Sequence, residues 1–252
     1  MAKRDIPEIN AGSMADIAFL LLIFFLVTTT MDKDQAYLRD IPKKIEVVIT
    51  EPVKVEERNI CAIRANDQNQ LMVRKEVMSN PDDISERIVE WFTTNEKVND
   101  VTNNFPLYSR ISMDQINAGL SAADADLAAT ENTPNVSNDM IMYKEKVVQE
   151  WAAKKQALAL YGKKNLPEIH FQAHIRIEVQ KGTDYELFAK IQSEVEEALF
   201  TVRDNAAKQI FNESYGVIKR RYSLDEKGED KAKLDLLKFL YPDRIIEVTP
   251  KR

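Results

Sequence analysis

Hydrophobic residues concentrate in one uninterrupted run near the start of the chain. From Ile17 to Thr30 no side chain is ionisable, and Leu, Ile and Phe dominate. Extended to residues 11–31, the run has 21 residues, which is about 31 Å of α-helix and matches the hydrocarbon thickness of a bilayer. No other part of the chain is apolar enough to surround a helix that is hydrophobic on every side. The pattern therefore predicts a transmembrane helix over residues 11–31.

A cleaved signal peptide is the main alternative for this segment. Lys3 and Arg4 precede the run, as basic residues do in signal peptides. However, Asp5, Glu8 and Asp16 place carboxylates in the region that should be basic, and no Ala-x-Ala cleavage site follows the run. We therefore interpret the segment as a retained membrane anchor.

The extended span encloses one ionisable residue, Asp16. A carboxylate at full membrane depth costs about 3 kcal/mol or more, so such residues face protein or water and commonly serve proton transfer. A simpler alternative is that Asp16 marks only the start of the helix, where the helix dipole favours an acid. The pattern favours proton binding by Asp16. The small and hydroxyl-bearing residues that we assign to its support are Gly12, Ser13, Thr28 and Thr30.

The remainder divides into a tether and a larger water-soluble part. Residues 32–58 are rich in charge, contain two prolines and include one β-favouring run at 45–50, which predicts a linker with an edge strand. Residues 59–252 show the pattern of an α+β domain. Their hydrophobic spacing predicts a hairpin of strands at 60–65 and 71–74, followed by a helix that Asn80 or Asp82 caps and that ends near Asn95.

Strict alternation of apolar and polar residues over 168–180 predicts one continuous strand. A long helix is predicted from Asp184 onward, and a short last strand at 244–249. Two segments interrupt this order as predicted insertions: 98–167, with a helix near 139–161, and 214–241, with one further helix. Because a strand-helix-strand order is complete on either side of 98–167, we expect this segment to be dispensable for folding.

Composition argues against several classes of function. The 35 basic residues are outnumbered by 41 acidic ones, and no basic face carries aromatic residues, so nucleic-acid binding is not expected. Two histidines, one cysteine and six glycines leave little material for a zinc cluster, a catalytic triad or a phosphate loop. We therefore expect no enzyme activity, no metal and no cofactor.

The histidines and the cysteine have simple structural interpretations. On a strand, His170 and His174 would lie about 13 Å apart, too far to bind one ion, so a solvated strand face is predicted. Cys61 falls within a predicted strand and is interpreted as a small buried hydrophobe. A disulfide that links two copies through Cys61 remains an alternative.

The apolar segment from Ser13 to Thr28, with Asp16 near its start, resembles the membrane helix of the ExbD/TolR biopolymer-transport family, including the essential aspartate of that family. The segment Tyr37–Pro42 is similar to the short Leu-Pro-containing segment that follows the helix in these proteins. Residues Gly12 and Ser13 stand where the family commonly has a proline, and the chain is much longer than a typical ExbD. The resemblance thus identifies a long, insertion-bearing variant.

The resemblance implies a fold, a topology and partners. It implies a cytoplasmic N-terminus (1–10), a single inner-membrane span and a periplasmic α+β domain; the charges flanking the span do not decide the orientation themselves. It further implies a homodimer inside a pentameric ExbB/TolQ-like ring, a TonB-like partner, and proton-driven transport. Two alternatives stay open: a subunit of a flagellar-stator-like or gliding motor, and a passively anchored periplasmic binding module.

Overall fold

The computed structural model describes residues 17–25, 55–134, 136–225 and 228–248. The chain divides into two compact units, Met1–Val48 and Ile49–Arg252. In the first unit, residues 17–25 form helix α1, and all nine of them are exposed. The predicted edge strand at 45–50 lies outside the described residues.

The second unit contains seven strands and six α-helices among its described residues, so the predicted α+β class is confirmed for it. The strands are β1 (Ile60–Ala65), β2 (Leu71–Val73), β3 (Glu76–Met78), β4 (Tyr108–Ser112), β5 (Asn165–Ile169), β6 (His174–Val179) and β7 (Ile245–Val248). The helices are α2 (Ile84–Thr93), α3 (Met113–Glu131), α4 (Asn138–Tyr161), α5 (Tyr185–Phe211), α6 (Tyr215–Asp225) and α7 (Gly228–Leu240).

Five strands form one mixed sheet in the order β3-β2-β1-β6-β7. Strand β1 is antiparallel to β2 and parallel to β6, and β6 is parallel to β7. Alternate side chains of β1 and β6, including Ile63 and Ile177, are buried in one core with Ile88 of α2 and Val195 of α5. Helices α2 and α5 therefore cover one face of the sheet, and the opposite face carries the polar half of the alternation.

The predicted hairpin and first helix of the domain are confirmed. The side chain of Asn66 accepts hydrogen bonds from the backbone N–H of Gln68 (3.1 Å) and Gln70 (2.8 Å), which closes the turn between β1 and β2. The side chain of Asn80 accepts from Asp82 N at 3.2 Å and starts the short 3-10 turn that leads into α2. These are the local hydrogen bonds that make asparagine common in turns and at helix starts.

The prediction of one strand over 168–180 is wrong. Strands β5 and β6 occupy this region and belong to different sheets, with a turn at residues 170–173 between them. Ala173 N donates to His170 O within the turn, and Arg244 Nη1 donates to the carbonyls of His170 (3.1 Å) and Phe171 (3.0 Å). The turn has four residues, an even number, so apolar residues stay at the odd-numbered positions from 169 to 179 and the sequence pattern does not reveal the break. Phe171, within the turn, is nevertheless 71% exposed.

The segment 98–167 contains β4, α3 and α4 and leads into β5. Strands β4 and β5 pair with each other in a separate two-stranded sheet. The predicted helix near 139–161 is confirmed as α4, whereas α3 was not predicted. A reciprocal capping box starts α3, since Ser112 N donates to Gln115 Oε1 (2.9 Å) and Gln115 N donates to Ser112 Oγ (3.3 Å). The segment 214–241 contains two helices, α6 and α7, where one was predicted.

Candidate functional site

The predicted proton site lies at the edge of what the structure describes. Asp16 and its proposed supporting residues Gly12, Ser13, Thr28 and Thr30 lie outside the described residues. Ile17, which follows Asp16 in the sequence, is the first described residue of α1 and is 59% exposed, and Phe19 is 61% exposed. Exposure of large apolar side chains along a whole helix is typical of a surface that contacts lipid or another protein. Within the part of the chain that is described, no helix combines the length and the apolar character needed to cross a membrane.

The two histidines lie in and beside the turn between β5 and β6. His170 Nδ1 lies 3.1 Å from Asn59 Nδ2, and His174 Nδ1 lies 2.7 Å from Gln172 O. Both rings therefore have hydrogen-bond partners within the fold. Over the described ranges, no group of three or more His, Cys, Asp or Glu side chains is arranged to hold a metal ion.

Cys61 lies in β1 with its side chain directed into the core, and it is 0% exposed. Burial raises the pKa of the thiol to about 12, which keeps the sulfur protonated and therefore unreactive at neutral pH. This environment fits the predicted buried hydrophobe. It conflicts with the alternative of a disulfide between two copies, which needs an accessible sulfur.

The open face of the sheet carries a cluster of arginines around Ala62. In the strand register, Ala62 of β1 lies opposite Arg176 of β6. On its other side, Arg74 N donates to Ala62 O at 2.6 Å. Arg64 lies two residues further along β1, on the same face. We call this group, Ala62 with Arg64, Arg74 and Arg176, the arginine cup.

One carboxylate serves two of these arginines. Glu178 Oε2 lies 2.7 Å from Arg64 Nε, and Glu178 Oε1 lies 2.7 Å from Arg176 Nε. Arg74 instead donates to the carbonyl of Asn104 and lies over the ring of Phe105, 4.2 Å from its centroid. Among the described residues, no carboxylate forms an ion pair with Arg74. The arginine cup therefore has more positive charge than its own carboxylate neutralises.

The arginine cup lines a cavity of about 470 Å³. Ile60 and Phe105 contribute apolar walls. The other charged residues of the lining are Lys75, Arg87, Glu57, Glu76 and Glu90. In the strand predicted over 168–180, Arg176 falls on the same solvated face as His170 and His174, but the sequence pattern assigns none of these arginines to a site. The signal that was present is the outward position of Arg64 and Arg176 in two predicted strands. Their approach to each other depends on which strands pair.

Comparison with known proteins gives a family but no individual relative. The family profile described as "Biopolymer transport protein ExbD/TolR" matches residues 2–203, which is 202 of the 252 residues. No curated protein and no solved structure matches the chain. The matched range includes Asp16, helix α1 and the second unit as far as α5, so the resemblance inferred from the apolar segment is confirmed. The chain belongs to the ExbD/TolR family of biopolymer transport proteins.

Proposed function

We propose that this protein is the proton-coupled subunit of an inner-membrane motor of the ExbB–ExbD or TolQ–TolR type, which energises TonB-dependent transport or another process of the cell envelope. The observation that carries the proposal is α1, in which nine successive apolar residues are exposed directly after Asp16 in the sequence. In a chain of this family, an apolar helix next to a carboxylate fits a membrane helix with a proton-binding group.

Family membership supports the broad part of this role. ExbD/TolR proteins are accessory proteins of biopolymer transport rather than enzymes, are generally anchored in the inner membrane, and act with ExbB/TolQ and TonB-like proteins. For this chain we propose a cytoplasmic segment 1–10, a span over 11–31, a periplasmic tether over 32–58 and a periplasmic domain over 59–252. Two copies would stand inside a pentameric ExbB/TolQ-like ring.

The proposed mechanism uses Asp16 as the group that accepts and releases a proton. A carboxylate in apolar surroundings gains stability by taking up a proton, and it releases that proton where water or hydroxyl groups reach it. A proton that crosses the membrane releases about 2.3 kcal/mol for each 100 mV. Each change of charge on Asp16 therefore biases the contact between the helix and the ring toward one of two arrangements. The domain after the tether passes the motion on.

Asp16→Asn tests the proposal because it keeps the shape of the side chain but fixes the site neutral. We expect the variant to assemble with the ring at the wild-type level and to lose energy-dependent uptake of an iron-siderophore or another TonB-dependent nutrient. Glu8→Gln is the matched control, since it removes a carboxylate that lies before the predicted span. Glu8→Gln should retain uptake.

Wild-type uptake by Asp16→Asn at normal expression would refute the proposal and favour a passively anchored binding module. Loss of motility with unchanged uptake would instead favour the stator-like or gliding alternative.

A further inference from the structure

We propose that the arginine cup binds a short acidic segment of a partner protein, with one Asp or Glu carboxylate of that segment seated over Ala62. The site is separate from the proton site, and the inference stands whether or not Asp16 carries protons. It rests on the register of three strands, the charge around Ala62 and the apolar walls of the cavity.

The pairing of β1 with its two neighbouring strands produces a depression around Ala62 that is wide enough for a carboxylate. Neighbouring strands lie about 4.8 Å apart, so the backbones that carry Arg74 and Arg176 lie about 10 Å apart across Ala62. Arg64 stands at one end of this gap and Ile60 at the other, because both are two residues from Ala62 in the same strand. Ala62 lines the cavity with the short side chain in the centre, and the longer side chains around it cover most of it, since Ala62 is 6% exposed.

The charge of the depression favours an anion. Glu178 pairs with Arg64 and with Arg176, and Arg74 has no carboxylate partner among the described residues, so three guanidinium groups stand against one carboxylate. Among the other lining residues, Lys75 pairs with Glu57 (2.8 Å), and Arg87 pairs with Glu76 (2.8 Å) and with Glu90 (3.2 Å), so these two cations are neutralised by three carboxylates. The unbalanced positive charge is therefore located around Ala62. Guanidinium groups bind carboxylates through two parallel hydrogen bonds, which gives direction as well as strength.

The apolar walls favour a peptide over a small anion or a membrane. Ile60 and Phe105 lie beside the charged groups and match an apolar side chain next to an acidic one. A cavity of about 470 Å³ is within the usual range for ligand sites. A flat anionic bilayer could not enter the depression, and the net charge of −6 on the chain opposes such a surface.

Fluorescence anisotropy with the full-length chain in non-ionic detergent tests the site. The probe is a fluorescein-labelled heptapeptide with blocked ends, Ser-Leu-Glu-Leu-Asp-Leu-Ser, and its matched neutral form has Gln and Asn in place of the two acids. We expect saturable binding of the acidic peptide below about 1 mM and at least about tenfold weaker binding of the neutral one. Asp16→Asn should bind the acidic peptide as the wild type does, which separates this test from that of the proton site.

Three variants locate the binding. Arg64→Gln and Arg176→Gln remove one charge each, and Ala62→Leu fills the depression while every charge remains. We expect each variant to weaken binding of the acidic peptide about tenfold or more. Arg220→Gln, which removes an exposed arginine on α6, is the matched control and should leave binding unchanged. Thermal unfolding of each variant checks the fold. If Arg176→Gln does not fold, the two single variants Ala62→Leu and Arg64→Gln decide whether the acidic peptide binds at the arginine cup.

Several outcomes would overturn the proposal. Equal binding of the acidic and neutral peptides would exclude charge recognition, and wild-type affinity in Ala62→Leu would place binding elsewhere. Displacement of the peptide by inorganic phosphate at equal concentration would indicate a simple anion site. Binding of phosphatidylglycerol vesicles that Arg64→Gln abolishes, without binding of the peptide, would indicate a membrane contact instead.

Discussion

At the scale of single residues, Cys61 gives a direct test of the core. Its thiol pKa is raised from 9.0 to about 12 by burial, so at pH 8 the fraction of reactive thiolate is lower by about three orders of magnitude. We predict that the folded chain reacts with a thiol reagent about a thousandfold more slowly than the chain unfolded in urea. Because the chain has one cysteine, the absorbance of the released product reports this site alone. Equal rates in both states, or a covalent dimer without reductant, would contradict the burial of Cys61.

The arginine cup depends on contacts between residues that are far apart in the sequence. The alternation of β1 and β6 is visible in the sequence, and it assigns Arg64 and Arg176 to an exposed face. Their approach to a common partner, Glu178, depends on the parallel pairing of two strands that are more than 100 residues apart in the chain. Pairing of this kind is decided by the packing of the whole core, so the site could not be predicted from local pattern.

At the scale of elements, the junction between α5 and α6 depends on one carboxylate. Asp204 of α5 accepts from Ser214 Oγ (2.7 Å) and from Tyr215 N (2.8 Å), the first backbone N–H of α6. It also pairs with Lys208 at 2.6 Å. The hydrogen bond from Lys208, followed by that from Ser214, lowers the pKa of the Asp204 carboxyl below its ordinary value of 3.8. The charged form therefore holds the start of α6 against α5.

The lowered pKa predicts a loss of stability in acid. A carboxyl whose pKa is lower in the folded state stabilises the fold at pH above its ordinary pKa, and this contribution is lost as the pH falls through the folded pKa. We therefore expect Asp204→Ala to lower the free energy of unfolding by about 2 kcal/mol at pH 7. The difference between variant and wild type should shrink below pH 4. Urea unfolding at both pH values measures it.

Asp235→Ala, at an exposed position on α7, is the matched control and should unfold like the wild type. A difference between Asp204→Ala and the wild type that stays constant from pH 7 to pH 2 would show that the charge of Asp204 is not what stabilises the junction.

Elements with a clear hydrophobic period could be predicted from the sequence, and elements without one could not. The apolar stripe of α5 is buried as its spacing indicates, for example at Ile191, Val195 and Val202. Helix α3 is rich in alanine and aspartate and buries only Ile116 and Ala123, so its pattern is weak. Its signal was the capping box at Ser112 and Gln115, which marks a helix start independently of hydrophobic period.

The burial along the hairpin of α3 and α4 indicates which part of this hairpin can be removed with little loss of stability. At its base, Ile116 of α3 and Leu158 of α4 are buried in the domain core, and a side-chain carbon on Gly119 would lie 2.5 Å from the ring of Trp151. From 124 to 146 no described residue is buried. Lys144 pairs with Asp126 across the hairpin at 2.5 Å, which shows that the two helices run side by side toward the tip.

We predict that residues 124–146 can be replaced by a short Gly/Ser linker with little loss of stability. Removal of all of 98–167, which the sequence pattern alone predicts to be dispensable for folding, should instead be far more costly because it deletes Tyr108, Ile116 and Leu166 from the core. Thermal unfolding followed by circular dichroism compares the two deletions. Loss of cooperative unfolding in the shorter deletion would show that the tip supports the fold, and cooperative unfolding of the longer one would support the wider boundary.

At the scale of the whole molecule, the two candidate sites belong to different physical settings. The arginine cup lies on a sheet face of a domain with a buried core, where charge and shape can select a partner. The proton site is proposed for Asp16, directly before the apolar helix α1 in the sequence; in a membrane a single charge is costly, and its neutralisation would change what the helix contacts. A chain with both features is suited to couple events in a membrane to contacts made in water, which is the role that we propose.

The apolar helix also predicts the number of copies in the assembled complex. A lone helix with one carboxylate cannot satisfy that carboxylate from its own side chains in a bilayer, and the ExbD/TolR resemblance implies that two such helices stand within one ring. We therefore expect two copies per ring, which adds two masses of 28.9 kDa to the mass of the ring alone in native mass spectrometry. Asp16→Asn should give the same two copies, because the substitution leaves the apolar surface of α1 unchanged. A ring that carries one copy would refute the dimer, and a ring that loses the Asn variant would show that the charge of Asp16 is needed for assembly rather than for proton transfer alone.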